Sequence, residues 1–250
     1  MKLFRKMLRL QLAPTLIAGL IYTAAYLIMI LVTNSNASIY FKISPYAYSS
    51  DVVDFFLGLI VSVPFSIHTF FMKKNGFLDC VAAKTSKKHY LRTFFAATLL
   101  MCFLMVFLAN IIAVLVSCGV ATVETSNYPQ TLSGYVLGDL QMSAPILFGV
   151  IWSLHKAFIG MLICLFAQII ALYVDNLFLT LCAPYAYIIL ENFITAVLQI
   201  PNYSLSTAFV LNRLASGSTS AFHIATSVFV FMLVIGMTYT ALSRWYKKSL

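Results

Sequence analysis

Few side chains in this sequence have the types and spacings that catalysis requires. The chain has no Gly-x-Ser-x-Gly or His-Glu-x-x-His motif, and no glycine-rich loop ending in Gly-Lys-Ser or Gly-Lys-Thr. Its four histidines lack the spacing of metal ligands, and its acidic residues do not form a pair at one depth. The sequence therefore predicts no catalytic centre and no metal site, and no cofactor bound by this chain.

One polar pair, Glu191 and Asn192, stands out because it lies inside a long apolar run. A carboxylate in hydrocarbon is costly, so Glu191 is expected to face other helices or water. Two interpretations stay open: a hydrogen bond between helices or an outer vestibule, and a place in a translocation path. Asn110 and Gln168 are interpreted as hydrogen-bonding residues of helix packing.

The composition sets the class of protein in which these residues must work. Of the 250 residues, 62% are hydrophobic and only 9% are charged, whereas a soluble domain has about 25% charged residues. A soluble fold could not hide so much apolar surface, and apolar runs of about 20 residues indicate helices rather than a barrel. The sequence predicts an all-α integral membrane protein, and no basic soluble face is left for nucleic acid.

Six apolar runs are long enough to cross a membrane. The predicted spans cover residues 12–33, 52–72, 93–117, 157–174, 177–198 and 221–243, within a single transmembrane domain of residues 1–250. Asp51 and Asp54 are interpreted as the start of the second span, because acidic residues favour a helix N-terminus. His155 and Lys156 interrupt a longer apolar run, so residues 145–154 are predicted to form a separate interfacial or re-entrant segment.

The first eleven residues have the pattern of an amphipathic helix. Apolar side chains fall on one helical face and basic side chains on the other: Leu3, Phe4, Met7 and Leu8 against Lys2, Arg5, Lys6 and Arg9. Such a helix is expected to lie in the membrane interface, with Pro14 redirecting the chain into the membrane. The apolar run that follows is longer than the core of a signal peptide, which favours a span over a cleaved leader.

The basic residues predict which side of the membrane each loop faces. Six spans place both termini on one side, and that side carries thirteen of the 16 Lys and Arg residues. The other side carries Lys42, Lys156 and Arg213. Because cytoplasmic loops are rich in Lys and Arg, both termini and the loop of residues 73–92 are predicted to be cytoplasmic.

The loop of residues 73–92 combines basic charge with an apolar flank. Asn75 and Gly76 can begin a short helix, on which Phe77, Leu78 and Val81 share one side. The loop either fixes topology through its charge alone or carries a coupling helix whose apolar side fits a groove on a soluble partner. The residues proposed for such coupling are Gly76, Phe77, Leu78, Asp79 and Val81.

Together, the amphipathic N-terminus, the six spans and the 73–92 loop resemble the permease subunits of type-2 ABC exporters. So do the turn at residues 174–176 leading to Pro184 and the polar segment before the last span. The chain is most similar to the small permeases of Gram-positive bacteria that act in export of, or immunity to, peptides and antibiotics.

This resemblance implies a mechanism and a set of partners. Two permease copies, or this chain and a related one, would pair in a bacterial cytoplasmic membrane, each docked on a separate ATPase subunit that binds ATP and Mg²⁺. The path for a peptide, drug or lipid-like substrate would lie at the dimer interface, with Pro64 and Pro184 allowing spans two and five to bend. The alternatives are a non-transporting immunity or accessory protein and a secondary transporter.

Overall fold

The computed structural model describes residues 2–82, 86–124, 132, 134–214 and 219–248, and every regular element in these ranges is a helix. The ten α-helices are α1 (Lys2–Asn36), α2 (Ser44–Val53), α3 (Leu57–Lys74), α4 (Phe77–Ala82), α5 (Lys87–Val120), α6 (Gly138–Ser143), α7 (Pro145–Tyr173), α8 (Leu177–Val197), α9 (Leu205–Phe209) and α10 (Ala221–Lys248). Three 3₁₀ turns lie at Asp54–Phe56, Pro201–Tyr203 and Leu211–Arg213.

Six helical stretches are long and apolar enough to cross a membrane, which confirms the all-helical, multi-pass prediction. They are α1, the continuous stretch Ser44–Lys74 (α2, the first 3₁₀ turn and α3), α5, α7, α8 and α10. Successive stretches alternate in direction, so α1 begins and α10 ends at the same end of the bundle. This end is called the terminal end, and the other is called the loop end.

Helix α7 is the central element, and it corrects the predicted division at His155 and Lys156. It runs unbroken from Pro145 to Tyr173, with proline at its first position, where no backbone N–H is needed. It packs against α3, α5, α8 and α10, and most of its side chains are buried. The predicted separate segment of residues 145–154 is therefore wrong, because Lys156 finds partners inside the bundle and does not end the span.

Helix α1 likewise continues through Pro14 and does not divide into an interfacial helix and a span. A proline is tolerated in a membrane helix when neighbouring groups restore the backbone pairing. Next to Pro14, the Thr15 hydroxyl donates to the Gln11 carbonyl over 2.6 Å. Met7 is buried in a cluster with Met72 and Tyr90, against which Leu3 packs. The apolar face of the N-terminal turns therefore contacts α3 and α5.

The helix before the second predicted span begins earlier than the sequence indicated. The second span was predicted to begin at residue 52, but α2 begins at Ser44, again with a proline in its first turn. Asp51 and Asp54 consequently lie within the helical stretch Ser44–Lys74 and not at its start. Asp54 is fully buried, which corrects its interpretation as a helix-start residue.

Small residues allow α5 and α7 to approach closely. A Cβ atom added at Gly149 would lie 2.3 Å from Val114 Cγ1, and one at Gly160 would lie 3.1 Å from Val106 Cγ2. Close contact through small residues is a common way for membrane helices to associate.

Replacing Gly149 by Ala is expected to destabilise the bundle by about 1–3 kcal/mol, because α5 and α7 must separate to admit the methyl group. Gly236 in α10 is the matched control, since a Cβ atom there would have no neighbour within 4 Å. Denaturant unfolding in detergent, followed by circular dichroism, measures both variants. Equal stability of Gly149→Ala and Gly236→Ala would contradict the packing of α5 on α7.

Candidate functional site

A buried ion pair joins the 3₁₀ turn before α3 to the middle of α7. Lys156 Nζ lies 2.5 Å from Asp54 Oδ2, and both side chains have no solvent exposure. The ammonium group also lies 2.8 Å from the hydroxyl of Tyr46, 3.0 Å from that of Tyr26, and 3.0 Å from Asn110 Oδ1. The positive charge is therefore surrounded by oxygen atoms from four other helical segments.

The second oxygen of Asp54 has its own pair of donors on α1. The hydroxyls of Tyr22 and Tyr26 each donate to Asp54 Oδ1 over 2.6 Å. These tyrosines lie four residues apart, so they share one face of α1, and their rings meet edge to face. The carboxylate is thus bonded through both oxygen atoms, as an ionised group in an apolar interior requires.

Asn110 closes the cluster from α5. Its Oδ1 accepts from the Tyr46 hydroxyl over 2.8 Å, while its Nδ2 donates to the Val106 carbonyl over 2.8 Å. The Tyr46 ring also stacks on Tyr26 and lies below the Lys156 ammonium, 4.8 Å from its centroid. The prediction that Asn110 makes packing hydrogen bonds is confirmed. Among the described residues, the partner of Gln168 is Cys164 of its own helix.

This group of six residues is called the buried polar cluster: Tyr22, Tyr26, Tyr46, Asp54, Asn110 and Lys156. Desolvating two charges costs several kcal/mol per ion, which their attraction repays only when the geometry and the additional hydrogen bonds are good. The cluster meets both conditions, so it fixes the relative positions of α1, α2, α3, α5 and α7. Its chemistry is that of a charged crosslink between helices.

The sequence contains an indication of the Asp54–Lys156 pair. It was missed because Lys156 was counted among the loop residues when the sides of the membrane were assigned. Asp54 and Lys156 are single charges of opposite sign inside or beside apolar runs, and such charges in membrane helices usually pair. Lys156 was assigned to a loop on the second side of the membrane, which is wrong. With Lys156 inside the bundle, that side retains only Lys42 and Arg213.

Glu191 and Asn192 form a second polar site, near the loop end of α8. Glu191 accepts hydrogen bonds from the backbone N–H of Leu205 and from the Ser204 hydroxyl, over 3.1 and 3.0 Å. Asn192 Oδ1 accepts from the Ser206 hydroxyl and from Arg213, each over 2.8 Å. Both side chains therefore bond α9 and the turn after it. This arrangement agrees with the first of the two interpretations left open for Glu191 and Asn192, a hydrogen bond between helical segments.

The two prolines proposed for bending lie within helices that pack on each other. Pro64 is half-buried inside α3, and Pro184 is buried inside α8. The helices approach closely where Gly58 faces Tyr185, since a Cβ atom at Gly58 would lie 3.0 Å from Tyr185 Cα. A role of Pro64, Pro184, Glu191 and Asn192 in a translocation path stays a prediction.

The predicted coupling segment contains a short helix, α4, between α3 and α5 at the terminal end. Gly76 has φ +67° and ends α3 in the left-handed conformation that glycine adopts easily. Phe77 is 45% exposed while its ring contacts Tyr90, and Val81 packs on the cluster of Met7 and Met72. The side chains of Leu78 and Asp79 lie outside the part of the chain that the structure describes.

The fold defines the class of protein: a multi-pass helical membrane protein with a charged crosslink inside the bundle and a short helix between its second and third spans. Comparison with protein-family models, with curated proteins and with solved structures gives no match for this chain.

Proposed function

We propose that this chain is the membrane-spanning subunit of an ATP-driven exporter. A separate ATPase subunit would bind ATP and Mg²⁺, and a second permease, identical or related, would complete the translocation path. The substrate would be an amphipathic or hydrophobic molecule such as a peptide, drug or lipid. In this proposal the chain itself is not an enzyme, and its terminal end faces the cytoplasm of a bacterium.

The observation that carries the proposal is the position and surface of α4. This helix contacts α3 and α5 at the terminal end of the bundle, and the basic residues Lys73 and Lys74 precede it in the sequence. Phe77 exposes almost half of its surface, although a loop that only fixes topology needs no exposed aromatic ring. A partly exposed aromatic ring close in sequence to basic residues suits the groove of a soluble partner.

The buried polar cluster explains how a push on α4 would reach the membrane interior. Because α4 contacts α3 and α5, and the cluster links both helices to α1 and α7, these helices would move as one unit. In this proposal α8, which packs on α3 at Gly58, would move relative to that unit. Rocking of such a unit is a common basis of alternating access.

Purification of the tagged chain in mild detergent from its native cells tests the proposal. A partner with an ATP-binding P-loop should co-purify in a fixed ratio, and the complex should hydrolyse ATP, whereas the chain alone should not. Purification without such a partner, under conditions that retain a second copy of the chain, would favour an immunity or accessory protein instead.

The buried polar cluster favours a secondary transporter as the second candidate, because ionisable residues inside a membrane often lie on ion pathways. This candidate predicts uptake by vesicles that contain the chain alone, driven by a proton or sodium gradient and abolished by Lys156→Met. An exporter subunit would give no uptake in these vesicles until the ATPase and ATP are added.

A further inference from the structure

An apolar cleft of about 630 Å³ opens at the terminal end of the bundle. Four helices form it: the first turns of α1, the last turns of α3, the start of α4 and the first turn of α5. Clefts of about 300–1,000 Å³ are the size of sites that hold small organic ligands. The volume is therefore sufficient for a large part of a lipid acyl chain.

The lining divides into an apolar floor and a basic rim on α1. Leu3, Met7 and Leu10 recur at the spacing of one helical face and supply the floor together with Met72. Lys6 and Arg9 also line the cleft, and residues three apart are neighbours on a helix surface. Within the described ranges neither Lys6 nor Arg9 has an acidic partner, so the rim carries two uncompensated positive charges.

The position of the rim along α1 fits the headgroup region of a membrane. The 35 residues of α1 span about 52 Å, which exceeds the ~30 Å thickness of the hydrocarbon core. Even at a tilt of about 40° the helix is longer than the core, so its first turns lie among or beyond the headgroups. The inner end of the cleft, at Leu10 and His68, then lies nearest the acyl chains, and Lys6 and Arg9 lie at the level of the phosphate groups.

We infer that this cleft binds one anionic phospholipid, with an acyl chain on the apolar floor and the phosphate group between Lys6 and Arg9. A guanidinium group can donate two parallel hydrogen bonds to a phosphate, and the adjacent ammonium adds charge. Basic pockets at the ends of transmembrane helices recognise anionic headgroups in this way. The charge selects an anionic over a zwitterionic lipid of the same chain length. Phe77 also lines this cleft, so a bound lipid and a docked ATPase would share that side chain, whereas the basic rim on α1 does not depend on the exporter proposal.

Native mass spectrometry of the detergent-purified chain tests this inference. Phosphatidylglycerol and phosphatidylcholine with identical acyl chains are titrated separately, with glycerol phosphate as the headgroup without chains. We expect one phosphatidylglycerol to bind about tenfold more tightly than phosphatidylcholine, and glycerol phosphate not to bind. Equal affinity for the two lipids would overturn the inference, and binding of glycerol phosphate as tight as that of the lipid would show that the site takes free phosphate esters.

Paired charge variants locate the site. The variant Lys6→Gln with Arg9→Gln is expected to weaken phosphatidylglycerol binding by about 30-fold, since each basic group near anionic lipid contributes about a factor of five. The control, Arg5→Gln with Lys88→Gln, removes the same charge from exposed residues of α1 and α5 that do not line the cleft. Equal losses in the two variants would show general attraction to the basic end and would overturn a specific site.

A measurement on the unchanged protein keeps the inference testable if the rim variant does not fold. Phosphatidylglycerol with a photoreactive group in its acyl chain should crosslink to floor residues such as Leu10 and Met72, and phosphatidylglycerol without the group should compete. Crosslinks confined to the outward surfaces of α8 and α10 would contradict the placement of the lipid.

Discussion

Replacing Lys156 by Met is expected to lower the free energy of unfolding by about 3–5 kcal/mol. The side chains are similar in length, but the change leaves the buried carboxylate of Asp54 without its charged partner. It also removes the ammonium group that lies within 3.0 Å of the Tyr26 and Tyr46 hydroxyls and of Asn110 Oδ1. The loss is measured by denaturant unfolding in detergent micelles, with circular dichroism as the signal.

Two further variants separate the ion pair from a general effect of the substitution. Lys42→Met makes the same change at an exposed residue of the loop end and is expected to alter stability by less than about 0.5 kcal/mol. The double variant Asp54→Asn with Lys156→Met removes both charges while the new amide oxygen still accepts from the tyrosines, so it should recover most of the loss. A cost below about 1 kcal/mol for Lys156→Met would contradict the crosslinking role of the cluster.

Replacing Phe77 by Asp is expected to abolish ATP hydrolysis by the purified complex, because the partner ATPase would no longer be retained. The substitution puts a charge where the exposed ring would enter an apolar groove, and such central aromatic residues carry most of the energy of an interface, often 2 kcal/mol or more. A loss of that size weakens binding about 30-fold. The measurements are the ratio of ATPase to tagged chain and the rate of ATP hydrolysis.

Tyr135→Asp is the matched control for Phe77→Asp. Tyr135 is 38% exposed, close to the 45% of Phe77, and it lies at the loop end, on the opposite face of the bundle. The control should retain both the partner and the activity. Full retention of the ATPase by Phe77→Asp would show that α4 is not the docking element, and equal loss in both variants would point to general damage.

The sequence predicted the helical class and the number of spans because apolar length alone decides which segments can cross a membrane. It predicted the short helix at Phe77 because Asn75 and Gly76 can begin a helix there and the apolar residues that follow share one side. It did not predict that α7 continues through Lys156, because a lysine ends a span unless a distant residue neutralises it. That residue, Asp54, lies 102 positions away, so the sequence indicates that each charge needs a partner, and the packing of α3 on α7 shows which one it is.

The sequence was also insufficient to predict the partners of the N-terminal apolar face and of Glu191. The apolar face of residues 3–8 predicts an interface, but not whether the interface is lipid or protein; the structure places it on Met72 and Tyr90. Glu191 was singled out correctly as a polar residue in a span, yet its partners are backbone and hydroxyl groups of residues 204 and 205. Such partners carry no sequence signal, since any residue supplies a backbone N–H.

The most direct test of the exporter proposal is a photocrosslinking amino acid introduced at position 77 in living cells, with position 135 as the control. The proposal predicts that position 77 crosslinks to a soluble chain with an ATP-binding P-loop, and that position 135 does not. A crosslink from position 77 only to lipid or to a second copy of this chain, in its native cells, would contradict it.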